Sequence, residues 1–353
     1  MNRTLFTHIK KMTSVIMTAV LTVSLVTSCG RAGESDVEAD VPEDDGVSIG
    51  MTFDSFVTER WLKDRDIFVT TAGAGGATVN VQTANADVDE QKRQMEYFIE
   101  EGVDVIVVIP VDSDSLSEEV KKAKDKGIKV IAYDRMLNDS DEDLYISFNN
   151  ESVGRFMAEE MIKALPKGGR IVKINGPLKD NNVSLVNKGF DKAITGHGIT
   201  VVDEFYCDKW IGEEAFEYMA SHPDLARTAD AFMCGNDDLA GNTIKYLSEM
   251  KRAGKVPVVG QDADLEACQR IVAGTQTMTV YKPIEVLASK AAELAIDMAE
   301  GRELENVTTM NDGTYNVPYY NVEPVMVDVH NLDSVIIDSG FHMRDDVYLL
   351  KEG

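Results

Sequence analysis

The chain has 353 residues, with 61 Asp and Glu against 35 Lys and Arg, a net charge of −26, and 44% hydrophobic residues. So anionic a surface repels nucleic acid and anionic lipid headgroups and disfavours phosphorylated substrates. The length is more than one hydrophobic core usually carries, which predicts two domains.

At the N-terminus, Arg3, Lys10 and Lys11 precede an apolar stretch from Met12 to Val26. That stretch is short for a membrane span and has the length of a signal h-region. It ends in Val26-Thr27-Ser28-Cys29-Gly30, small residues leading into a cysteine. The pattern predicts a lipoprotein signal over residues 1–28, with Cys29 lipidated and first in the mature chain; an uncleaved signal anchor is the alternative. Two acyl chains on one residue anchor stably where one alone binds marginally. Residues 29–46 carry many acids and almost no large apolar side chain, so they read as a tether that cannot offset its own ordering entropy.

From Val47 onward, short apolar runs alternate with longer amphipathic ones. The runs are VSIGMTF (47–53), TVNVQTA (78–84), VDVIVVIP (103–110), IKVIAYD (128–134), LYISF (144–148), RIVKING (170–176), ITVVDEFYC (199–207), ADAFMCGN (229–236), VPVVGQD (256–262) and TMTVYK (277–282). Near-continuous Val/Ile runs are what strands buried on both faces require. The segments between them are helical and tend to stop at glycine, as in DEQKRQMEYFIEEG and SLSEEVKKAKDKG. The pattern predicts an α/β fold of two doubly wound parallel-sheet lobes. We place the first lobe at 47–148 plus 283–318 and the second at 149–282 plus 319–353, so that the chain crosses between them more than once. After Pro283 come one long helix, a polar stretch near 301–318, and strand-like VMVDVHN and SVIID.

Ligands of such sheets bind beyond the carboxyl ends of the strands. The residues found there are Asp54 and Arg60-Trp61 after the first run, Asp134-Arg135 after the fourth, and Asp180-Asn181-Asn182 after the sixth. Asp208 and Trp210 follow the seventh, Asn236 the eighth, Gln261-Asp262 the ninth and Lys282 the tenth. Carboxylates, amides, cations and indole faces together suit a neutral polyol, whose hydroxyls both donate and accept and whose C–H faces pack on aromatics. Any one Asp or Asn here could instead be a helix cap, the Asp134-Arg135 pair a surface ion pair, and the two tryptophans ordinary core. The recurrence at one edge of both halves favours a site.

These residues carry a resemblance. The segments ERWLKDRDIF (59–68), KVIAYDRMLND (129–139), YISFNNE (145–151), GQDADL (260–265), AGTQTMTVYKPI (273–284) and DSGFH (338–342) are similar to those of periplasmic sugar-binding proteins of the ribose/galactose type, specifically the D-xylose-binding proteins. The resemblance implies a type I periplasmic binding-protein fold with a multi-strand hinge. It implies sugar contacts from Asp134, Arg135, Asn236, Asp262 and Lys282, with Arg60, Trp61, Asn182 and Trp210 completing the set. It further implies a monomeric, non-enzymatic receptor without cofactor, outside the cytoplasm. That receptor would deliver D-xylose or a related monosaccharide to ABC permease subunits, or alternatively present it to a chemoreceptor or sensor-kinase ectodomain. The family often has Asp-Asn after YISF, where this chain has Asn149-Asn150.

Other signals are set aside. GAGGA (73–77) lacks dinucleotide-loop spacing and follows a helix. The loop Asp139–Asp143 lacks the glycine and distal Glu of a calcium loop. The five histidines are scattered, and Cys207, Cys234 and Cys268 form no C-x-x-C pair, reading as buried thiols.

Overall fold

The structure, a computed structural model, describes residues 46–58 and 60–349. The signal segment, Cys29 and nearly all of the tether lie outside the described residues. The first half runs β1 (Ser48–Phe53), α1 (Arg60–Ala74), β2 (Thr78–Thr83), α2 (Val88–Glu101), β3 (Val105–Val108), α3 (Ser117–Asp125), β4 (Lys129–Tyr133) and β5 (Leu144–Phe148). It continues with α4 (Asn150–Ala164), β6 (Gly169–Asn175), α5 (Asn181–Ile194), β7 (Ile199–Tyr206), α6 (Gly212–Ser221), α7 (Pro223–Thr228), β8 (Ala231–Cys234), α8 (Asp237–Glu249), β9 (Val258–Val259), α9 (Leu265–Val272) and β10 (Thr279–Tyr281). The C-terminal part adds α10 (Ile284–Ala299), β11 (Thr308–Asn311), β12 (Asn316–Val322), β13 (Val325–Val327), a π-helical turn (Asp333–Ile337) and α11 (Arg344–Val347).

Each of the ten apolar runs contains a strand. Every residue of β3, β5 and β8 is buried, because helices cover both faces of their sheets. The first lobe is a seven-stranded sheet ordered β11-β12-β5-β4-β3-β1-β2, parallel except for β11. The second is a four-stranded parallel sheet ordered β7-β6-β8-β9. A parallel bridge from Val259 to Met278 extends it to the antiparallel pair β10-β13. Strand order reverses at β1 in one sheet and at β6 in the other, and crevices for ligands open at such reversals. The chain passes between sheets at β5–α4, at β10–α10 and at β12–β13.

Three features differ from the sequence expectation. The polar stretch near 301–318 holds β11 and the start of β12, and β12 pairs with β5 in the first lobe, Tyr319 opposite Tyr145. The boundary drawn at 318/319 therefore falls inside a first-lobe strand, and the return crossing comes at Glu323-Pro324. SVIID is a helical turn, not a strand: a run of three apolar residues carries too little periodicity to separate the two. Leu332, Ile336, Phe341 and Val347 of this tail enter a core shared with β1, α1, α9 and α10.

Candidate functional site

Where the two sheets face each other, one small chamber is lined by Arg60, Trp61, Asp134, Arg135, Asn182, Trp210, Asn236, Asp262 and Lys282, together with Thr58, Asp180 and Gln261. All nine residues singled out from the sequence are thus brought together, four from the first lobe and five from the second. The chamber measures about 30 Å³, room for a water or two and far below the ~300 Å³ at which ligand pockets usually begin. A hollow of about 90 Å³ adjoins it past Asp54, Pro177 and Ile211. A larger open groove of about 510 Å³ lies elsewhere, along α4, α5 and β12, but it lacks the buried ion pairs that mark the chamber.

Asp134 directly follows β4 and adopts a left-handed backbone, φ 64°. Its N–H donates to the Ile146 carbonyl, and its own carbonyl accepts from Ser147 and Tyr145, which pins the turn. Its carboxylate is thereby aimed away from solvent, 2.8 Å from Arg60 Nη1 and 3.0 Å from the Asn182 amide. Arg60 opens α1, is forked onto Asp64, and lies 4.4 Å over the Trp61 ring. Arg135 reaches Asp54 at 2.7 Å and Asp180 at 2.7 Å. Across the cleft, Asp262 (φ 100°) follows β9 and sits 3.1 Å from Lys282 Nζ. Trp210 donates its Nε1–H to Asp180. Its six-membered ring lies on Gly176, where a Cβ would come within 2.2 Å of the indole; only glycine allows that approach.

The helix-cap alternative applies to some of these residues and not to others. Asn236 accepts from Leu239 N–H and caps α8, leaving its amide N–H₂ to offer the chamber. Asp180 caps α5 through Asn182 N–H. Asp134 and Asp262 cap nothing; their left-handed turns instead present carboxylates to the chamber. Three buried polar atoms of lining residues make no hydrogen bond within the protein: the Trp61 indole N–H, Gln261 Oε1 and Asp262 Oδ1, the last lying near Lys282 without hydrogen-bond geometry. Asp54 Oδ1, in the adjoining hollow, is a fourth. Buried polar groups are nearly always paired, so a concentration of orphans marks where a ligand's hydroxyls belong.

Residues 49–303 match the family model for the periplasmic binding protein domain. The chain belongs to this family. Among its relatives in it, the D-xylose-binding periplasmic proteins of Haemophilus influenzae and Escherichia coli are each 42% identical to it. The first alignment covers 86% of this chain and 92% of the relative, the second 92% and 98%. A solved ABC-transporter solute-binding protein from Clostridium phytofermentans with bound β-D-glucose superposes with a TM-score of 0.77 at 27% identity, covering 85% of this chain and 99% of that one. Periplasmic binding proteins are receptors and not enzymes, in keeping with a chamber built of paired charges.

The electrostatics of this binding-protein cleft are set by burial and pairing. Burial pushes the Asp134 carboxyl up, but Arg60, Lys282 and Arg135 together outweigh it and hold it below the ordinary carboxylate range. For Asp180 and Asp64 burial prevails over their arginine partners, and both carboxyls lie above that range. Each of the three cations, Arg60, Arg135 and Lys282, already faces at least one carboxylate. Among the described residues that line the chamber, no cation is left over to meet a phosphate or carboxylate ligand. Sequence reasoning placed Asp54, Asp180 and Gln261 at strand ends without assigning them to the site; their part depends on side-chain direction across the lobe boundary.

Proposed function

We propose that this chain captures a neutral monosaccharide, D-xylose, between its two lobes and delivers it to an ABC permease. The observation that carries this reading is the set of unpaired buried donors and acceptors (Trp61, Gln261, Asp262) inside a chamber whose every cation is already matched by a carboxylate. Such a set can satisfy ring hydroxyls and has no net charge to offer an anion. The names of the 42%-identical relatives favour D-xylose among the neutral sugars. The chamber is too small to admit a sugar without the lobes parting, so binding involves opening and re-closure, and the permease distinguishes the loaded form.

The receptor stands outside the cytoplasm, held by lipid on Cys29 and spaced from the membrane by the acidic segment 29–46; Val26-Thr27-Ser28-Cys29 supports this reading. Replacing Cys29 by Ala should release or leave unprocessed a protein with unaltered sugar binding; a variant still fractionating as a mature acylated protein contradicts it.

Titration calorimetry with D-xylose, L-arabinose, D-ribose, D-glucose, D-xylonate and D-xylose 5-phosphate tests the substrate. D-xylose should bind far more tightly than the other neutral sugars, and the two anions should not bind. Tight binding of another neutral sugar with none of D-xylose overturns the substrate. Tight binding of either anion overturns the charge argument.

A further inference from the structure

Asp180 touches three lining residues at once. One carboxylate oxygen accepts from the Trp210 indole N–H at 3.1 Å and pairs with Arg135 Nε at 2.7 Å; the other accepts from the Asn182 backbone N–H at 3.0 Å. Trp210 and Asn182 belong to its own lobe, whereas Arg135 belongs to the other. The bridge is therefore a charge pair made by protein alone across the cleft, and the Ser113 N–H donating to the Lys179 carbonyl at 3.1 Å closes the same corner beside it. Arg135 keeps a second carboxylate on its own lobe, Asp54 at 2.7 Å. If the lobes part, Arg135 retains Asp54 and Asp180 retains Trp210 and Asn182, so opening strands neither buried charge. A pair whose members both have a fallback partner can break and re-form at low cost, whereas truncating a buried pair with no fallback is expensive.

We propose that Asp180 is a positioning residue and lobe latch: it orients Arg135 and Trp210 toward the ligand and biases the lobes toward closure without discriminating between sugars. The selectivity part rests on the sugar-binding reading above; the closure part does not. Asp180→Asn is the test, because Asn caps a helix as well as Asp does, while its NH2 replaces the oxygen that Trp210 and Arg135 share, so the charge and that acceptor are lost together. Small-angle scattering of the ligand-free protein should show a larger radius of gyration for Asp180→Asn than for wild type. Stopped-flow release of D-xylose should be about tenfold faster or more, since loss of a buried charge partner acts mainly on the off-rate. The ratio of affinities for D-xylose and any second sugar that wild type binds should stay within about twofold. Unchanged radius and off-rate overturn the latch. A shifted affinity ratio overturns the positioning role and makes Asp180 a direct ligand contact. Asp180→Ser, which keeps a capping oxygen, carries the same measurements if the Asn variant does not fold. If wild type binds no sugar tried, the scattering comparison still decides the latch, so the two failures remain distinct.

Discussion

Asp134 and Asp262 stand in matching places in the two lobes: each follows a parallel strand, each turns through a positive φ, and each pairs with a cation of its own lobe, Arg60 at 2.8 Å and Lys282 at 3.1 Å respectively. Such backbone conformations cost about 1–3 kcal/mol apiece and persist where the surroundings over-determine them, most often at functional sites. At φ 100°, Asp262 is the more strained of the two. The turn at Asp134 is bought by hydrogen bonds from Tyr145, Ser147 and Asn182 to its carbonyl.

Strain and function can be separated at Asp262. Asp262→Gly relieves the backbone while removing the carboxylate, and the two effects on stability oppose. Relief of about 1–3 kcal/mol of backbone strain opposes the cost of leaving buried Lys282 without its paired carboxylate, so the unfolding free energy should fall by about 2 kcal/mol. Sugar affinity should also fall by more than tenfold in calorimetry. A large loss of stability with affinity intact would make Asp262 a folding residue.

Gly176 tests the placement of Trp210. A methyl group there would occupy the space of the indole, 2.2 Å from its Cη2. Gly176→Ala should tilt Trp210 off the cleft floor, break its bond to Asp180 and red-shift tryptophan emission. That emission is informative because both tryptophans of the chain line the chamber. The expected loss of affinity is about tenfold, equivalent to ~1.4 kcal/mol. Gly73→Ala, in α1 with open space around it, is the control and should be neutral or stabilising in a melting curve.

Glu142 gives a pH prediction away from the cleft. It is buried, and backbone N–H groups of Glu142 and Leu137 approach its carboxyl without closing a good hydrogen bond. Burial pushes that carboxyl from an ordinary value of 4.5 up to about 8. The folded state thus holds the proton more tightly than the unfolded chain. The stability it contributes is complete below about pH 4.5 and is lost as the pH rises through about 8. Glu142→Gln, which is always neutral, should match wild type in melting temperature at pH 4 and exceed it by a few degrees at pH 9. Equal melting at both would show that the carboxyl titrates normally.

Much of this was legible in the sequence, for identifiable reasons. Strands buried on both faces leave unbroken Val/Ile runs, so β3, β5 and β8 declared themselves. Residues beyond such strands point to the cleft, which located Asp134, Asp262 and Lys282. β11 was not legible because Thr308, Thr309 and Asn311 are exposed, an edge strand with no apolar signature. Nor was the grouping of Asp54 with Asp180, since Arg135 joins residues far apart in sequence. Asn236 was read as a sugar contact with a helix cap as the alternative, and the structure shows the cap.

On the proposed reading, the buried charges at the lobe boundary exist to hold a sugar. The direct measurement is a paired one: melting temperature and D-xylose affinity of Asp134→Ala. Arg60 keeps its forked pairing with Asp64, so its charge is not stranded and the fold should survive. Removing one member of a buried, hydrogen-bonded pair typically costs about 2–5 kcal/mol of binding, roughly thirty-fold or more in affinity. On that reading, melting should change modestly and affinity should fall by at least that much. A clearly lowered melting temperature with wild-type affinity would contradict it and leave Asp134 a structural residue.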